Sequence, residues 1–238
     1  MQDIYLITGA SSDIGLELIS NILVSNPNSK IICGSSRINS KLRSLKKDYK
    51  DRIEILQLNF LINKQKKNFF DKIKKNKISH FISLAAIREK KSFYNVNELD
   101  LIKNFKINYI INIEILLIII KRMLKNNFGR ITFTSSIGTK FGGNKNTFGY
   151  SISKFCNEFI PSEAKNWVNK NVFFNCIQIG YTKTSSTSKD KKQFRQREKL
   201  IPIKRAANPK EIANFIEYIS SKKNTFIACQ KNTISGGE

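Results

Sequence analysis

Short apolar runs alternate with segments of helical spacing along the whole chain, and this alternation constrains the fold more than any other feature. The apolar runs predict strands at Asp3–Thr8, Lys30–Gly34, Ile53–Leu58, Phe81–Ala85, Arg130–Thr134, Val172–Ile179 and near Asn232–Ser235. The intervening segments predict helices at Ile14–Val24, Ser40–Tyr49, Lys64–Asn76, Glu98–Lys125, Tyr150–Asn169 and Pro209–Ser221. Repeated strand–helix units with right-handed crossovers form a doubly wound parallel sheet. We therefore expect a three-layer α/β/α fold in one domain, residues 1–238.

The segment Thr8-Gly-Ala-Ser-Ser-Asp-Ile-Gly15 joins the first predicted strand to its helix. A tight turn of small residues at this point lets backbone N–H groups and the helix N-terminus approach a pyrophosphate. The alternative is a plain strand–helix turn in which Ser12 or Asp13 caps the helix. Small or polar residues also follow the other strands, at Gly34–Arg37, Asn59, Ala85, Ser136 and Gly180. Because open α/β sheets bind ligands at the carboxyl ends of their strands, we expect a ligand site at this edge.

Tyr150 and Lys154 are four residues apart in a predicted helix, so their side chains share one face. An ammonium beside a phenol favours the phenolate, and we expect it to lower the pKa of Tyr150 toward neutrality. Such a tyrosine can exchange a proton with a carbonyl or alcohol oxygen. Tyr218 and Lys222 have the same spacing. That pair lacks the upstream Ser and Asn described below, which favours the first pair.

These segments together resemble the short-chain dehydrogenase/reductases, which have the Rossmann fold. Thr8–Gly15 resembles their TGxxxGxG cofactor turn and Tyr150–Lys154 matches their YxxxK motif. The resemblance continues through Phe105–Asn108, Gly129–Ser136, Asn175–Gly180, Pro202–Ala213 and Ile234–Gly237, so it covers nearly the whole chain. The pattern is most similar to that of the 3-oxoacyl-carrier-protein reductases and their relatives.

The resemblance implies a catalytic role for four residues, Asn108, Ser136, Tyr150 and Lys154. Ser136 would hydrogen-bond to the substrate oxygen, with Ser135 as the alternative, and Tyr150 would be the general acid in reduction. Lys154 would hold the nicotinamide ribose and lower the pKa of Tyr150. Asn108 would position a water molecule for proton relay.

The resemblance also implies an NADP site. The expected cofactor-binding residues are Thr8, Gly9, Ser11, Ser12, Asp13, Ile14, Gly15, Arg37, Asn59, Ala85, Ala86, Tyr150, Lys154, Gly180, Thr182 and Thr184. The second strand ends in Gly34-Ser-Ser-Arg37 and offers no carboxylate for a ribose 2′-hydroxyl, whereas Arg37 can pair with a 2′-phosphate. We therefore expect NADP rather than NAD.

Several positions depart from the family pattern. Asp13 replaces the second glycine of the turn, which places a carboxylate near the expected phosphates. Ser83–Ala86 replaces the NNAG motif, Ile179 replaces a proline before Gly180, and Asn59 stands where an aspartate is common. Pro161 falls inside the predicted helix that carries Tyr150, and we expect it to kink that helix. The family commonly dimerises through this helix and the one over Ile110–Lys125, so we expect a homodimer or homotetramer.

The formal net charge is +24, and it raises nucleic-acid or anionic-membrane binding as a possibility. Lysines are scattered along the chain and no nucleic-acid motif is present, so we expect no specific nucleic-acid partner. His80 is the only histidine, which excludes a His-based zinc site, and we expect it to pack in the core. The four cysteines have no CxxC spacing and are interpreted as reduced thiols. With no signal peptide and no apolar run long enough to span a membrane, we expect a cytoplasmic protein.

The segment at about 181–205 is expected to close over the substrate. It begins with serines and threonines, and its middle part carries five cations, at Lys189, Lys191, Lys192, Arg195 and Arg197, against only Asp190 and Glu198. A cationic lid suggests an anionic substrate, either a 3-oxoacyl thioester on a phosphopantetheine carrier or a nucleotide-linked keto-sugar. A dinucleotide-binding sensor or scaffold without catalytic activity is the alternative from another class.

Overall fold

The protein forms one seven-stranded parallel sheet in the computed structural model, which describes residues 2–238. The strands are β1 (Ile4–Thr8), β2 (Lys30–Ser35), β3 (Ile53–Gln57), β4 (His80–Ser83), β5 (Gly129–Ser136), β6 (Val172–Ile179) and β7 (Lys231–Ile234). Their order is β3-β2-β1-β4-β5-β6-β7. The chain therefore crosses from β3 at one edge past β2 and β1 to β4, and the sheet is extended in both directions from β1, which confirms the doubly wound sheet.

Helices cover both faces of the sheet. They are α1 (Asp13–Ser25), α2 (Ser40–Tyr49), α3 (Asn63–Lys75), α4 (Glu98–Phe105), α5 (Ile111–Lys125), α6 (Phe148–Phe155), α7 (Ala164–Trp167), α8 (Lys191–Leu200) and α9 (Pro209–Ile219). Alternate residues of each strand point to opposite faces. Leu6 of β1 thus joins the apolar cluster under α3 and α5, while its neighbour Ile7 joins the cluster under α1 and α9. Both clusters are fully buried, so the sheet is the centre of three layers.

Two predicted helices are interrupted. The segment Glu98–Lys125 contains a π-helical turn at Lys106–Ile110, which carries Asn108. The helix predicted over Tyr150–Asn169 ends at Phe155, continues as a 3₁₀ turn to Glu158 and resumes only at Ala164. Pro161 explains the break, because its ring would clash with the carbonyl of Asn157 and it has no N–H to donate. The expected kink is therefore a full interruption.

Buried polar side chains hold the amino edge of the sheet, opposite the expected ligand site. His80 stacks on Tyr5 with ring centroids 3.9 Å apart, and burial lowers the pKa of His80 to about 3, so the ring is neutral. This is the packing role expected from the sequence. The Lys222 Nζ pairs with the Asp3 carboxylate at 2.8 Å on the same edge. None of the helices in residues 2–238 is both long and apolar enough to cross a bilayer.

Candidate active site

A cleft of about 510 Å³ opens at the carboxyl edge of the sheet. The turn before α1, the loops after β4, β5 and β6, the start of α6 and the lid segment form its walls. Nine of the residues expected from the sequence line it, namely Ser12, Ile14, Ala86, Ser136, Tyr150, Lys154, Gly180, Thr182 and Thr184. Parallel register explains this convergence, since Thr8 lies opposite Gly34 and Ser83, and Ser136 lies opposite Ile179. Residues distant in sequence therefore meet at one edge.

Close backbone packing requires glycine in the turn between β1 and α1. Gly9 has φ +70°, and a Cβ there would lie 2.6 Å from the backbone nitrogen of Ala85. A Cβ on Gly15 would lie 2.7 Å from the Ala10 carbonyl oxygen. Ser12 caps the helix, because its Oγ accepts a hydrogen bond from the Gly15 N–H at 3.1 Å. Ser12 is therefore the N-cap, as expected for a plain strand–helix turn. The same turn places the first N–H groups of α1 at the cleft, where they would stabilise a phosphate group.

The adenosine end of the expected cofactor site also has a defined structure. Ser11 and Ser35 hydroxyls are 2.5 Å apart, and Ser35 Oγ donates to the Arg37 carbonyl at 2.7 Å. This contact ties the turn to the end of β2 and leaves the Arg37 side chain exposed. No carboxylate lies in the residues that follow β2 up to Asn39. The residues present therefore fit a dinucleotide, including one with a 2′-phosphate.

The other expected cofactor residues do not line the cleft. They are Thr8, Gly9, Ser11, Asp13, Gly15, Arg37, Asn59 and Ala85. Thr8 is buried and its Oγ1 accepts a hydrogen bond from the Ala85 N–H. Asn59 is engaged locally, since its Oδ1 accepts from the Leu61 N–H at 3.0 Å.

Asp13 contacts the lid. Its Oδ2 accepts hydrogen bonds from the Ser185 backbone N–H at 2.7 Å and from the Ser185 hydroxyl at 2.9 Å. The carboxylate that replaces a glycine in the turn therefore fastens the segment after β6 to the start of α1. Sequence patterns could not predict this contact, because the two residues are 172 positions apart.

Tyr150 is positioned for proton transfer. Its phenol lines the cleft, and Ser136 lines the same cleft. Burial raises the pKa of Tyr150 above its ordinary value, and the nearby Arg88 guanidinium and Ser136 hydroxyl only partly offset this rise. The expectation that Lys154 lowers this pKa is wrong for the protein in this state. At neutral pH the phenol is protonated, the form in which it can donate.

Lys154 is buried, with 3% of its surface exposed. Its Nζ donates to the Thr134 carbonyl at 2.7 Å and contacts Thr134 Oγ1 at 3.3 Å, so its hydrogen bonds go to β5 rather than to Tyr150. Burial lowers the pKa of Lys154 to about 8. Lysine, not tyrosine, is therefore the member of the pair that titrates near neutrality.

Asn108 does not line the cleft that contains Tyr150 and Lys154. Its Oδ1 accepts from the Ile87 N–H at 2.8 Å, and its Nδ2 donates to Ser153 Oγ at 2.9 Å. Its carbonyl accepts from the side chains of Asn112 and Asn157 at 3.0 and 2.8 Å. Asn157 also donates to the Thr134 carbonyl at 3.3 Å. This amide cluster (Asn108, Asn112 and Asn157) links the π-helical turn to the strand that holds Lys154, and it supports the site without lining it.

Sequence reasoning missed Glu158, which lies four residues after Lys154. Its Oε1 accepts hydrogen bonds from Ser135 at 2.6 Å and Thr139 at 2.5 Å, and its Oε2 pairs with Lys231 at 3.1 Å. Both Ser135 and Ser136 line the cleft, but the Ser135 hydroxyl already donates to Glu158, which favours Ser136 for binding a ligand. Its position four residues after Lys154 in the sequence was only a weak indication that it belongs to the site.

The lid contains a helix that the sequence analysis did not predict. α8 begins after Asp190, whose Oδ1 accepts from the Gln193 N–H at 2.9 Å. Of the five lid cations, only Arg197 lines the cleft, and it pairs with the Glu238 carboxylate. Arg88 and Lys90, from the loop after β4, also line it. The cations that line the cleft therefore come mainly from the loop after β4, and not from the lid as expected.

The sheet order, the glycine turn and the Ser136–Tyr150–Lys154 group together define a Rossmann-fold oxidoreductase. The family model described as short chain dehydrogenase matches residues 3–195, and the chain belongs to this family. It is therefore an enzyme of the oxidoreductase class, as the sequence predicts.

Characterised relatives and solved structures agree with this assignment. A 3-oxoacyl-[acyl-carrier-protein] reductase of Rickettsia conorii is 30% identical over 98% of this chain and 95% of its own length. The enzyme of that name from Aquifex aeolicus is 26% identical over the same shares. The solved structure described as ElxO with NADP bound has a TM-score of 0.85 at 21% identity, covering 100% of this chain and 98% of its own. A 3-oxoacyl (acyl-carrier-protein) reductase from Agrobacterium tumefaciens, also with NADP bound, has a TM-score of 0.87 at 15% identity, covering 99% and 94%. At these identities the structural similarity shows the shared fold.

Proposed function

We propose that this protein reduces a ketone to a secondary alcohol with NADPH, and that the ketone belongs to a 3-oxoacyl thioester. The presence of the Tyr150 phenol and the Ser136 hydroxyl in one cleft carries this proposal. Two O–H groups in the same cleft can bind a single carbonyl oxygen. The bound cofactor would supply a hydride to the carbonyl carbon.

Tyr150 would donate its proton to the ketone oxygen. The raised pKa supports this direction, because the phenol is in its acid form at neutral pH. Ser136 would donate a hydrogen bond to the same oxygen and stabilise the charge that develops there. The Arg88 guanidinium, which opposes the rise in the Tyr150 pKa, would stabilise the resulting phenolate.

Lys154, Gly180, Thr182 and Thr184 would hold the nicotinamide end of the cofactor, since they line the same cleft. Ser12 and Ile14 would face the pyrophosphate. Arg37 would pair with the 2′-phosphate, which supports NADP over NAD. The two solved structures with bound NADP are consistent with this choice.

The substrate proposal is supported by the relatives, since both relatives cited above are 3-oxoacyl-[acyl-carrier-protein] reductases that match nearly the full length of the chain. The cation Arg88 at the cleft suits a substrate with an additional oxygen acceptor. A second copy of the chain is also proposed as a partner. Large apolar side chains are exposed on α4, α5 and the segment that begins at the end of α6, at Leu99, Ile102, Leu117, Phe155 and Phe159.

The decisive experiment is an NADPH oxidation assay with purified protein. We expect reduction of a 3-oxobutanoyl thioester and no comparable reduction of a nucleotide-linked keto-sugar. Preferential reduction of the sugar would replace the proposed substrate while keeping the chemistry. Tight NADPH binding with no turnover of any ketone would favour the sensor or scaffold.

A further inference from the structure

Arg88 lines the cleft beside Tyr150. It lies in the loop after β4, and its Cζ is 6.0 Å from the centroid of the Tyr150 ring. Within residues 2–238 its guanidinium makes neither a hydrogen bond nor an ion pair. By contrast, Arg197 pairs with Glu238 and Arg205 pairs with Glu211. The charge of Arg88 is therefore free to bind a ligand beside the catalytic tyrosine.

We propose that Arg88 binds a second oxygen of the substrate, the acyl oxygen that lies two carbons from the ketone. This inference rests on the proposed function and makes it specific for 1,3-dicarbonyl compounds. Once Tyr150 and Ser136 hold the ketone oxygen, the acyl oxygen is fixed within a few ångströms of it. A planar guanidinium with five N–H donors can bind that oxygen from the loop that faces Tyr150.

The position of Arg88 favours this role over general attraction of anions. Lys191, Lys192 and Arg195 do not line the cleft, and the charge of Arg197 is matched by Glu238. The Arg88 guanidinium lies beside the Tyr150 ring, and Tyr181 lines the same cleft. A phosphate at the far end of a phosphopantetheine arm would lie well away from this point, whereas the acyl oxygen would not.

The test compares Arg88→Ala with wild type on three ketones. They are a 3-oxobutanoyl thioester of N-acetylcysteamine, free 3-oxobutanoate, and 2-pentanone, which has no second oxygen. Removing Arg88 also changes the pKa of Tyr150, and that effect acts on all three substrates. The ratio of kcat/KM for the thioester to kcat/KM for 2-pentanone cancels it. We expect this ratio to fall by about 10- to 100-fold, the range for loss of a hydrogen bond from a charged donor.

Three further variants make the result specific. Arg88→Lys keeps the charge with a different donor geometry, and we expect an intermediate ratio. Lys90→Ala removes a neighbouring cleft cation, and Lys192→Ala removes an exposed lid cation; both should leave the ratio within about twofold of wild type. An equal fall with Lys90→Ala would overturn the assignment to Arg88. If Arg88→Ala does not fold, the ratio for Arg88→Lys decides.

The outcomes separate this inference from the proposed function. Reduction of the thioester with an unchanged ratio in the Arg88 variants overturns the role of Arg88 alone. A loss confined to 3-oxobutanoate assigns Arg88 to a carboxylate and overturns the thioester assignment. Failure of wild type to reduce any of the three ketones overturns the proposed function and, with it, this inference.

Discussion

Replacing Lys154 with methionine should stabilise the cofactor-free protein while abolishing its activity. The side chain is buried, and its pKa of about 8 compares with 10.5 for an unperturbed lysine. That difference means that the folded protein disfavours the ammonium by about 3 kcal/mol at pH 7. Methionine fills a similar volume without a charge. We therefore expect Lys154 to serve activity while lowering the free energy of unfolding.

The lost hydrogen bond to Thr134 offsets part of this gain. Lys154 Nζ donates to the Thr134 carbonyl at 2.7 Å, and a hydrogen bond from a charged group contributes about 2 kcal/mol. The carbonyl keeps its second donor, Asn157 Nδ2 at 3.3 Å, so it is not left unpaired. The net stabilisation is about 1 kcal/mol, which corresponds to a rise in melting temperature of about 2–4 °C for a chain of this size.

The pH dependence gives the sharper test. The folded pKa lies below the unfolded pKa, so the destabilisation is fully present below pH 8 and disappears as the pH rises toward 10.5. We expect the advantage of Lys154→Met over wild type, measured by urea unfolding, to fall by about 2 kcal/mol from pH 8 to pH 10 and so to change sign within this range. Lys192→Met is the matched control, because it removes an exposed lysine. A difference that stays constant over this range would refute a buried lysine that titrates near pH 8.

Three further predictions follow from the cleft. Tyr150→Phe should lower kcat by about 10²- to 10⁴-fold with little change in NADPH affinity, and retention of more than about a tenth of kcat would exclude Tyr150 as general acid. Arg37→Ala should weaken NADPH binding in titrations and leave NADH binding unchanged; an unaltered preference would contradict the 2′-phosphate contact. Asp13→Ala removes the acceptor for both Ser185 donors, so backbone amide exchange around Ser185 should accelerate without cofactor. Unchanged exchange would show that this contact does not hold the lid.

The sequence predicted the parts of the site that depend on strand ends and local spacing. Ser136 ends a strand, and Tyr150 and Lys154 share one helix face, so the carboxyl-edge rule was sufficient to bring them together. The direction of the Tyr150 pKa shift depends on burial, which no local spacing reveals. For the same reason the hydrogen bond from Lys154 to Thr134 could not be predicted from the sequence.

Other features depended on tertiary contacts between distant segments. Arg88 follows a strand end that departs from the family motif, so no pattern marked it. The helix α8 buries only Phe194, and its lysine-rich sequence gave no periodic apolar signal. Pro161 did indicate a distortion, but the hydrogen bonds of Asn157 inside the interrupted stretch join it to residues 45 and 49 positions away, and no local pattern marked them.

The amide cluster beneath the active site has a consequence for enzymology. Asparagine side chains neither gain nor lose protons over the range in which proteins stay folded. The charge of the amide cluster is therefore the same at every pH, and we expect its geometry not to change with pH. A pH–rate profile of this protein should therefore report only groups that ionise in the cleft. A change in rate near pH 8 can then be attributed to Lys154, because the amide cluster contributes no ionisation.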